Sequence, residues 1–259
     1  DLPEWASYYG QRFDQLHMPF NYQLMTAEWN VSTLRATIEA VLWNVPVGGW
    51  TNWTLGNHDE IRLATRLPDG HERLAALLLL TLRGTPFLYY GDELGMTQVD
   101  VPEAESRDPW GQNVDWLSRD GARTPMQWSP TQYAGFTPDS NKPWLPIADD
   151  YTTVNVETQL GDPLSTLNLY RKLLKLRRGH PALQIGSFLS HPSSTEDVFA
   201  YRRESDSETM TVVLNFADNV RSIDVGRGEI IFSTHDNTRR GRTRGEVGLA
   251  PLEGLVISH

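Results

Sequence analysis

Between positions 32 and 45 the apolar residues fall at 34, 38, 41, 42 and 45, the three-and-four spacing of a single helix face. That pattern predicts a helix over 32–44, with Ser32 or Thr33 available to cap its first free amides. The flanking segments have a different character. Leu16-His17-Met18-Pro19-Phe20-Asn21-Tyr22 reads as a short buried strand, and 50–55, rich in Trp and Thr, as a second that ends at Gly56-Asn57-His58-Asp59. Residues 71–82 are apolar nearly all round, as in a helix pressed between a sheet and neighbouring helices, and Gly84 stops them. A third strand over 86–90 is closed by Gly91-Asp92-Glu93. Strand, helix, strand, helix, strand with connections this short implies parallel β/α units with right-handed crossovers.

Regular patterning then lapses. Residues 97–162 are dense in Pro, Asp, Asn and Trp, and a loop of that length inside a compact domain is either functional or a sign of a wrong assignment. Helical spacing resumes over 164–176, with Asp162 as cap, Pro163 in the first turn, and Arg177, Arg178 and Gly179 at the carboxyl end. Beyond Gly186 the runs are short and alternating, at 198–202, 210–216, 222–225, 229–232 and 254–258, which reads as a small antiparallel domain. The expected division is therefore an α/β part over 1–186 and an antiparallel, sandwich-like β domain over 187–259. The basic run Arg239-Arg240-Gly241-Arg242-Thr243-Arg244 is read as a solvated turn of that domain.

Composition narrows the function classes. All nine Trp lie in the first 144 positions, which supports two regions with different tasks. With 33 acidic against 23 basic side chains the net charge is −10, so nucleic acid and anionic membrane surfaces are disfavoured as partners. The longest apolar run, 74–82, is broken by Thr81 and falls far short of a membrane span. The absence of cysteine excludes disulfides, thiolate nucleophiles and Cys-ligated metals. A length of 259 residues would suffice for a whole (β/α)8 barrel or for two smaller domains.

Polar groups at the carboxyl ends of parallel strands are where such folds place their chemistry. Two candidates sit there, Asn57-His58-Asp59 and Asp92-Glu93. Each also has a plain structural reading, as a capped helix entry and as a turn beside Gly91 and Gly95. His58 alone is too little for zinc, since no His-x-x-x-His pair accompanies it, and no metal is expected on this chain. Trp110, Trp128, Tyr133, Phe136 and Trp144 give the long loop either a flat aromatic wall for stacking a ligand or structural packing.

Three longer segments change the balance. Trp53-Thr54-Leu55-Gly56-Asn57-His58-Asp59, then Gly84-Thr85-Pro86-Phe87-Leu88-Tyr89-Tyr90-Gly91-Asp92-Glu93-Leu94-Gly95-Met96, then Arg119-Asp120-Gly121-Ala122-Arg123-Thr124-Pro125-Met126-Gln127-Trp128 resemble, in order, segments of the alpha-amylase superfamily (glycoside hydrolase family 13). The branch they look most like holds the alpha-glucosidases and oligo-1,6-glucosidases, where Asp108-Pro109-Trp110-Gly111 also has a counterpart. The resemblance runs from about Gln11 to Leu183. It implies a TIM barrel with a carboxyl-terminal β domain, and a retaining mechanism that uses a carboxylate nucleophile and a carboxyl acid/base. Asp59 matches the family's third catalytic carboxylate, which holds sugar hydroxyls and favours the oxocarbenium-like ring. His58 matches the neighbouring histidine that donates to the sugar, and Arg123 the arginine that closes the pocket of exo-acting enzymes. Arg62 is a further candidate for substrate binding, with a role as a loop brace as the other reading. Asp92 and Glu93 correspond to a segment that shapes the barrel end without catalysing.

In that family the nucleophile and the acid/base precede the segment resembling 16–22, and nothing in 1–15 matches either motif. The resemblance thus implies that the chain carries about strands six to eight of the barrel plus the β domain, with the other five strands, both carboxyls and any structural calcium on a preceding segment. The expected activity is hydrolysis of terminal α-linked glucose from short oligosaccharides or sucrose, with that preceding segment and the α-glucoside as partners. Glucosyl transfer or isomerisation on the same site, as in trehalose synthase or sucrose isomerase, and a non-catalytic amylase-like module are the alternatives. A cytoplasmic location is expected, with export left open.

Overall fold

The computed structural model describes residues 1–111, 118–235 and 239–259. It divides into two compact units, one of residues 1–55, 73–87 and 172–259, the other of residues 56–72 and 88–171.

In the first unit α1 (Leu2–Ser7) starts on Asp1, whose side chain accepts from the Glu4 amide, and α2 (Gln23–Thr26) is a single turn. α3 (Val31–Asn44) occupies the span its spacing predicts, burying Val31, Leu34, Ile38 and Val41. Its cap is Asn30 rather than Ser32 or Thr33; the Asn30 carboxamide accepts from the Thr33 amide at 2.8 Å. β1 (Asn52–Thr54) and β2 (Thr85–Phe87) pair in parallel, Asn52 with Thr85 and Thr54 with Phe87. The intervening chain contains α4 (Leu63–Arg66) and α5 (Glu72–Thr81), the latter buried on all sides from Leu74 to Thr81. Gly84 bends the chain into β2 at φ 141°, and a β-carbon there would come within 2.6 Å of the Trp53 indole nitrogen. Only glycine fits so close an approach.

The strand expected over 16–22 does not form. Pro19 has no amide to give to a ladder, and Asn52 supplies the pairing by its side chain instead, accepting from the Asn21 amide at 3.1 Å and donating to the Pro19 carbonyl at 2.8 Å. The described parallel sheet therefore has two strands, not three.

α6 (Val156–Gly161) precedes α7 (Thr166–Gly179) and α8 (Pro181–Ile185). α7 starts two residues later than its spacing predicts, because Ser165 accepts from the Asn168 amide at 3.2 Å whereas Asp162 turns to the Leu164 amide. Near its end Arg177 reaches the carboxyl end of α5, donating to the carbonyls of Leu80, Leu82 and Gly84 at 2.9, 3.1 and 2.6 Å. A guanidinium there satisfies free carbonyls and meets the negative end of the helix.

The six-stranded sheet is antiparallel throughout, in the order β3 (Ser187–Ser190), β4 (Val198–Glu204), β5 (Thr209–Asn215), β8 (Gly254–Ser258), β6 (Arg221–Ser233), β7 (Gly241–Leu249). Alternating side chains of β4, β5, β6 and β8, among them Val198, Val213, Ile223 and Leu255, close its core. The two runs expected at 222–225 and 229–232 are one strand, β6, with a register shift against β7 between Asp224 and Arg227 where Gly226 adopts φ 74°. β3 and β7 carried no signal strong enough to predict them. The basic run is not a turn: Arg242 and Arg244 stand on the exposed face of edge strand β7, while Thr243 and Val247 face inward. Charges on an edge strand discourage pairing with a second chain.

Arg203, on β4, is fully buried. Its guanidinium donates to the carbonyls of Leu183, Ser187 and Gly186 at 3.2, 3.0 and 3.0 Å, and also to Thr81. Burial pulls its pKa below the ordinary range, but four carbonyl acceptors are the dipoles a buried cation needs. Beside it the Tyr201 and Thr81 hydroxyls are 2.5 Å apart. No described helix is long and apolar enough to cross a membrane.

Candidate active site

Asn57-His58-Asp59 lies in the second unit, where regular structure is scarce and side chains hold the backbone. The Asn57 carboxamide accepts from the amides of Asp59 and Glu60 at 2.8 and 2.9 Å. This is the capping role the plain reading assigned to Asn57, spent on a turn that presents Asp59 rather than on a helix.

One oxygen of Asp59 receives two guanidinium donors, Arg123 Nη2 at 2.9 Å and Arg119 Nη1 at 3.1 Å. Arg123 also donates from Nε to the His58 carbonyl at 2.8 Å, so a single side chain fixes the backbone and the carboxylate of the motif. The His58 ring lies 3.4 Å from the second Asp59 oxygen. That side is open to solvent: the side chains of Asp59 and His58 keep 43% and 64% of their exposure, so a ligand can reach the outward carboxylate oxygen and the ring.

Arg119 is itself held. Asp108 takes its Nε and Nη2 in a two-pronged pair, both at 2.8 Å, and accepts from the Arg119 amide at 2.9 Å. The Asp108 side chain is shut off from water. The Arg119 fork, joined by the amides of Arg119 and Trp110, holds that carboxyl far below its usual pKa against the opposing effect of burial. Asp108 in turn raises Arg119. The guanidinium lies over the Trp110 ring at 4.4 Å. Asp120 anchors the same loop: burial pushes its carboxyl up, but the amides of Asp108 and Arg107, at 2.9 and 2.7 Å, and the Ser106 hydroxyl outweigh it and lower the pKa.

Sequence reasoning missed Arg119 and Asp108 as members of this group. Both stood in quoted motifs, yet nothing in their spacing says that they meet each other or Asp59.

Arg62 is 1% exposed. It donates to the Tyr90 carbonyl at 3.0 Å and lies over the Tyr90 and Tyr89 rings at 4.9 and 5.6 Å. Tyr89 and Tyr90 each donate to the loop, to the carbonyls of Ala122 and Thr124 at 2.9 and 2.7 Å. So placed, Arg62 braces the segments that carry Tyr90 and Thr124. Asp92 lies in the same layer, 5% exposed, its Oδ2 without a hydrogen-bond partner. Burial raises its pKa to about 7, with Arg62 pulling the other way. A β-carbon at Gly56 would stand 2.9 Å from that oxygen.

Of the five aromatic candidates, Trp128, Phe136 and Trp144 come together. With Tyr90, Met126 and Glu93 they line an apolar cavity of about 410 Å³. Trp110 belongs to the Arg119 pair, and Tyr133 does not line the cavity; neither do Asp59 and His58. Trp116 lies outside the described residues. Among the described residues no group of three or more His, Asp or Glu is placed to hold a metal ion.

Residues 6–186 match the alpha amylase catalytic domain, and the chain belongs to the alpha-amylase family. Maltase A1 of Drosophila melanogaster is 36% identical over 85% of the chain and 39% of its own length. The amino acid transporter heavy chain SLC3A1 of Homo sapiens is likewise 36% identical, over 82% of the chain and 30% of its own length. The crystal structure of the trehalulose synthase MutB from Pseudomonas mesoacidophila superposes with a TM-score of 0.87 at 30% identity, covering 100% of the chain and 53% of that protein. The chain thus spans about two-fifths of the fly maltase and about half of the synthase.

Proposed function

We propose that this chain contributes the Asp59 side of the active site of a retaining α-glucosidase, which releases terminal glucose from short α-linked oligosaccharides or sucrose. The observation that carries the reading is an open-faced Asp59 carboxylate, clamped from behind by Arg123 and Arg119, with the His58 ring beside it.

Retaining hydrolysis needs a nucleophile and an acid/base about 5 Å apart, and a site that favours the cationic, flattened sugar ring between them. Asp59 suits the last task. Two guanidiniums fix its direction from behind, so the outward oxygen can accept from sugar hydroxyls and face the developing positive charge. His58, beside it, donates to the same sugar in this reading. Arg123 ties both residues together and closes the pocket, while Arg62 acts as a brace in this proposal. The parallel β1–β2 pair and its helices are assigned to the carboxyl-terminal part of a (β/α)8 barrel over 1–186, and the six-stranded sheet to the domain that follows.

The test is Asp59→Asn in the full-length protein. Turnover of an aryl α-glucoside is expected to fall by roughly a thousandfold or more, with an unchanged melting temperature. Near-normal turnover would sink the assignment. Product analysis with sucrose distinguishes hydrolysis from glucosyl transfer or isomerisation on the same site, an alternative supported by the similarity to a trehalulose synthase. A second reading, a non-catalytic amylase-like module, is favoured by the identity to the transporter heavy chain. A full-length protein that folds and turns over no α-glucoside would establish it.

A further inference from the structure

We infer that Asp108 is a positioning residue for Asp59, acting through Arg119: it locks the guanidinium that holds Asp59 and cancels its positive charge. The inference rests on the reading of Asp59 given above.

The first support is geometric. Arg119 uses Nε and Nη2 on Asp108 and Nη1 on Asp59, so the planar fork transmits the direction of a buried carboxylate to an exposed one. A guanidinium held at two points loses little further freedom when it makes the third bond. The second support is the balance of charge. Arg119 and Arg123 bring two positive charges to Asp59, and a site with that excess would oppose a cationic transition state. Asp108 removes the excess: two arginines face two carboxylates, and the group is neutral with His58 left aside. The third support is that the pair is built into the loop. Asp120 accepts the Asp108 amide, Asp108 accepts the Arg119 amide, and Trp110 covers the guanidinium face. Holding Arg119 in place for its own sake would require none of its donors to point at Asp59.

The experiment compares Asp108→Asn, Arg119→Gln and the double variant with Asp59→Asn, all in the full-length protein. Its readouts are kcat and KM on an aryl α-glucoside, inhibition by protonated 1-deoxynojirimycin, inhibition by neutral glucose, and thermal melting. Asp108→Asn is expected to lower kcat about ten- to a hundredfold with KM changed little. It should weaken the cationic inhibitor in parallel and leave glucose inhibition within about twofold, since only the charged ring senses the lost balance. The double variant should be no worse than Arg119→Gln alone, because both act through one contact. If Asp108→Asn does not fold, Arg119→Gln, on a more accessible side chain, carries the same inhibitor test. The inference is overturned if Asp59→Asn abolishes turnover while the variant tested leaves kcat intact, if the losses add, or if both inhibitors weaken alike together with the melting temperature. An inconsequential Asp59→Asn would instead remove the functional reading and this inference with it.

Discussion

The antiparallel sheet of the first unit and the loop cluster of the second solve one problem by different means. Both must satisfy their buried backbone groups. Strands β3 to β8 do so with each other, in a ladder of antiparallel pairs, and their side chains are free to alternate between core and solvent. Among its described residues the loop cluster has five short 3-10 turns, and carboxylates and carboxamides take backbone amides there: Asn57, Asp108 and Asp120 accept two each.

 Asp120 also accepts from the Ser106 hydroxyl, and Asp108 from the Arg119 fork. A side chain used in this way sets the shape of the loop and is then in place to orient a neighbour. In the sheet a polar side chain holds the fold; in the loop it holds the site.

Arg203 gives the largest test of that contrast. Replacing it with Met removes the guanidinium donors from four carbonyls, three of them buried, and the loss of stability should be about 3 kcal/mol or more. Chemical denaturation of the two proteins measures it, and a loss below about 1 kcal/mol would show that the sheet does not depend on its buried cation.

Asp92 comes next, with an effect that depends on pH. Its folded pKa, about 7, lies above the ordinary carboxylate value, so the folded state holds this proton more tightly than the unfolded chain does. The stability it contributes is complete below the unfolded pKa, near 4, and is lost as pH rises through about 7. Asp92→Asn, which keeps the shape of the neutral acid, should therefore raise the melting temperature at pH 8 by a few degrees and change it little at pH 4. Equal shifts at both pH values would place the cause elsewhere.

The smallest effect on stability is expected from Asn57→Ala. The turn lies on an exposed loop, so its loss should cost about 1 kcal/mol or less in denaturation. Turnover in the full-length protein should nevertheless fall about tenfold or more, because the Asp59 backbone is no longer held. If stability and turnover instead fell in proportion, the division between fold-holding and site-holding side chains would be lost.

The hydrophobic pattern was legible wherever backbone pairs with backbone. α3 and α5 follow from their apolar spacing, and β4, β5 and β8 from their alternation, to within about two residues at each end. It failed at 16–22, where an asparagine side chain replaces a strand's ladder, and at β7, whose arginines and glycines hide the inward-facing Thr243, Val247 and Leu249. At the site the motifs pointed to Asp59, His58 and Arg123, and the structure brings these three together.

By itself, then, the sequence determined the periodic elements, the family and the residue types of the candidate site, because these depend on local order and on motifs read in line. Tertiary structure alone decided that Arg62 is sealed beneath the loop while Arg119 emerges beside Asp59. Two arginines in one loop system differ in role through burial and partners, and both are set by residues distant in the chain: Tyr90 and Thr124 for one, Asp108 and Asp59 for the other. A guanidinium looks the same in either sequence context; its function depends on which acceptors the fold brings to it.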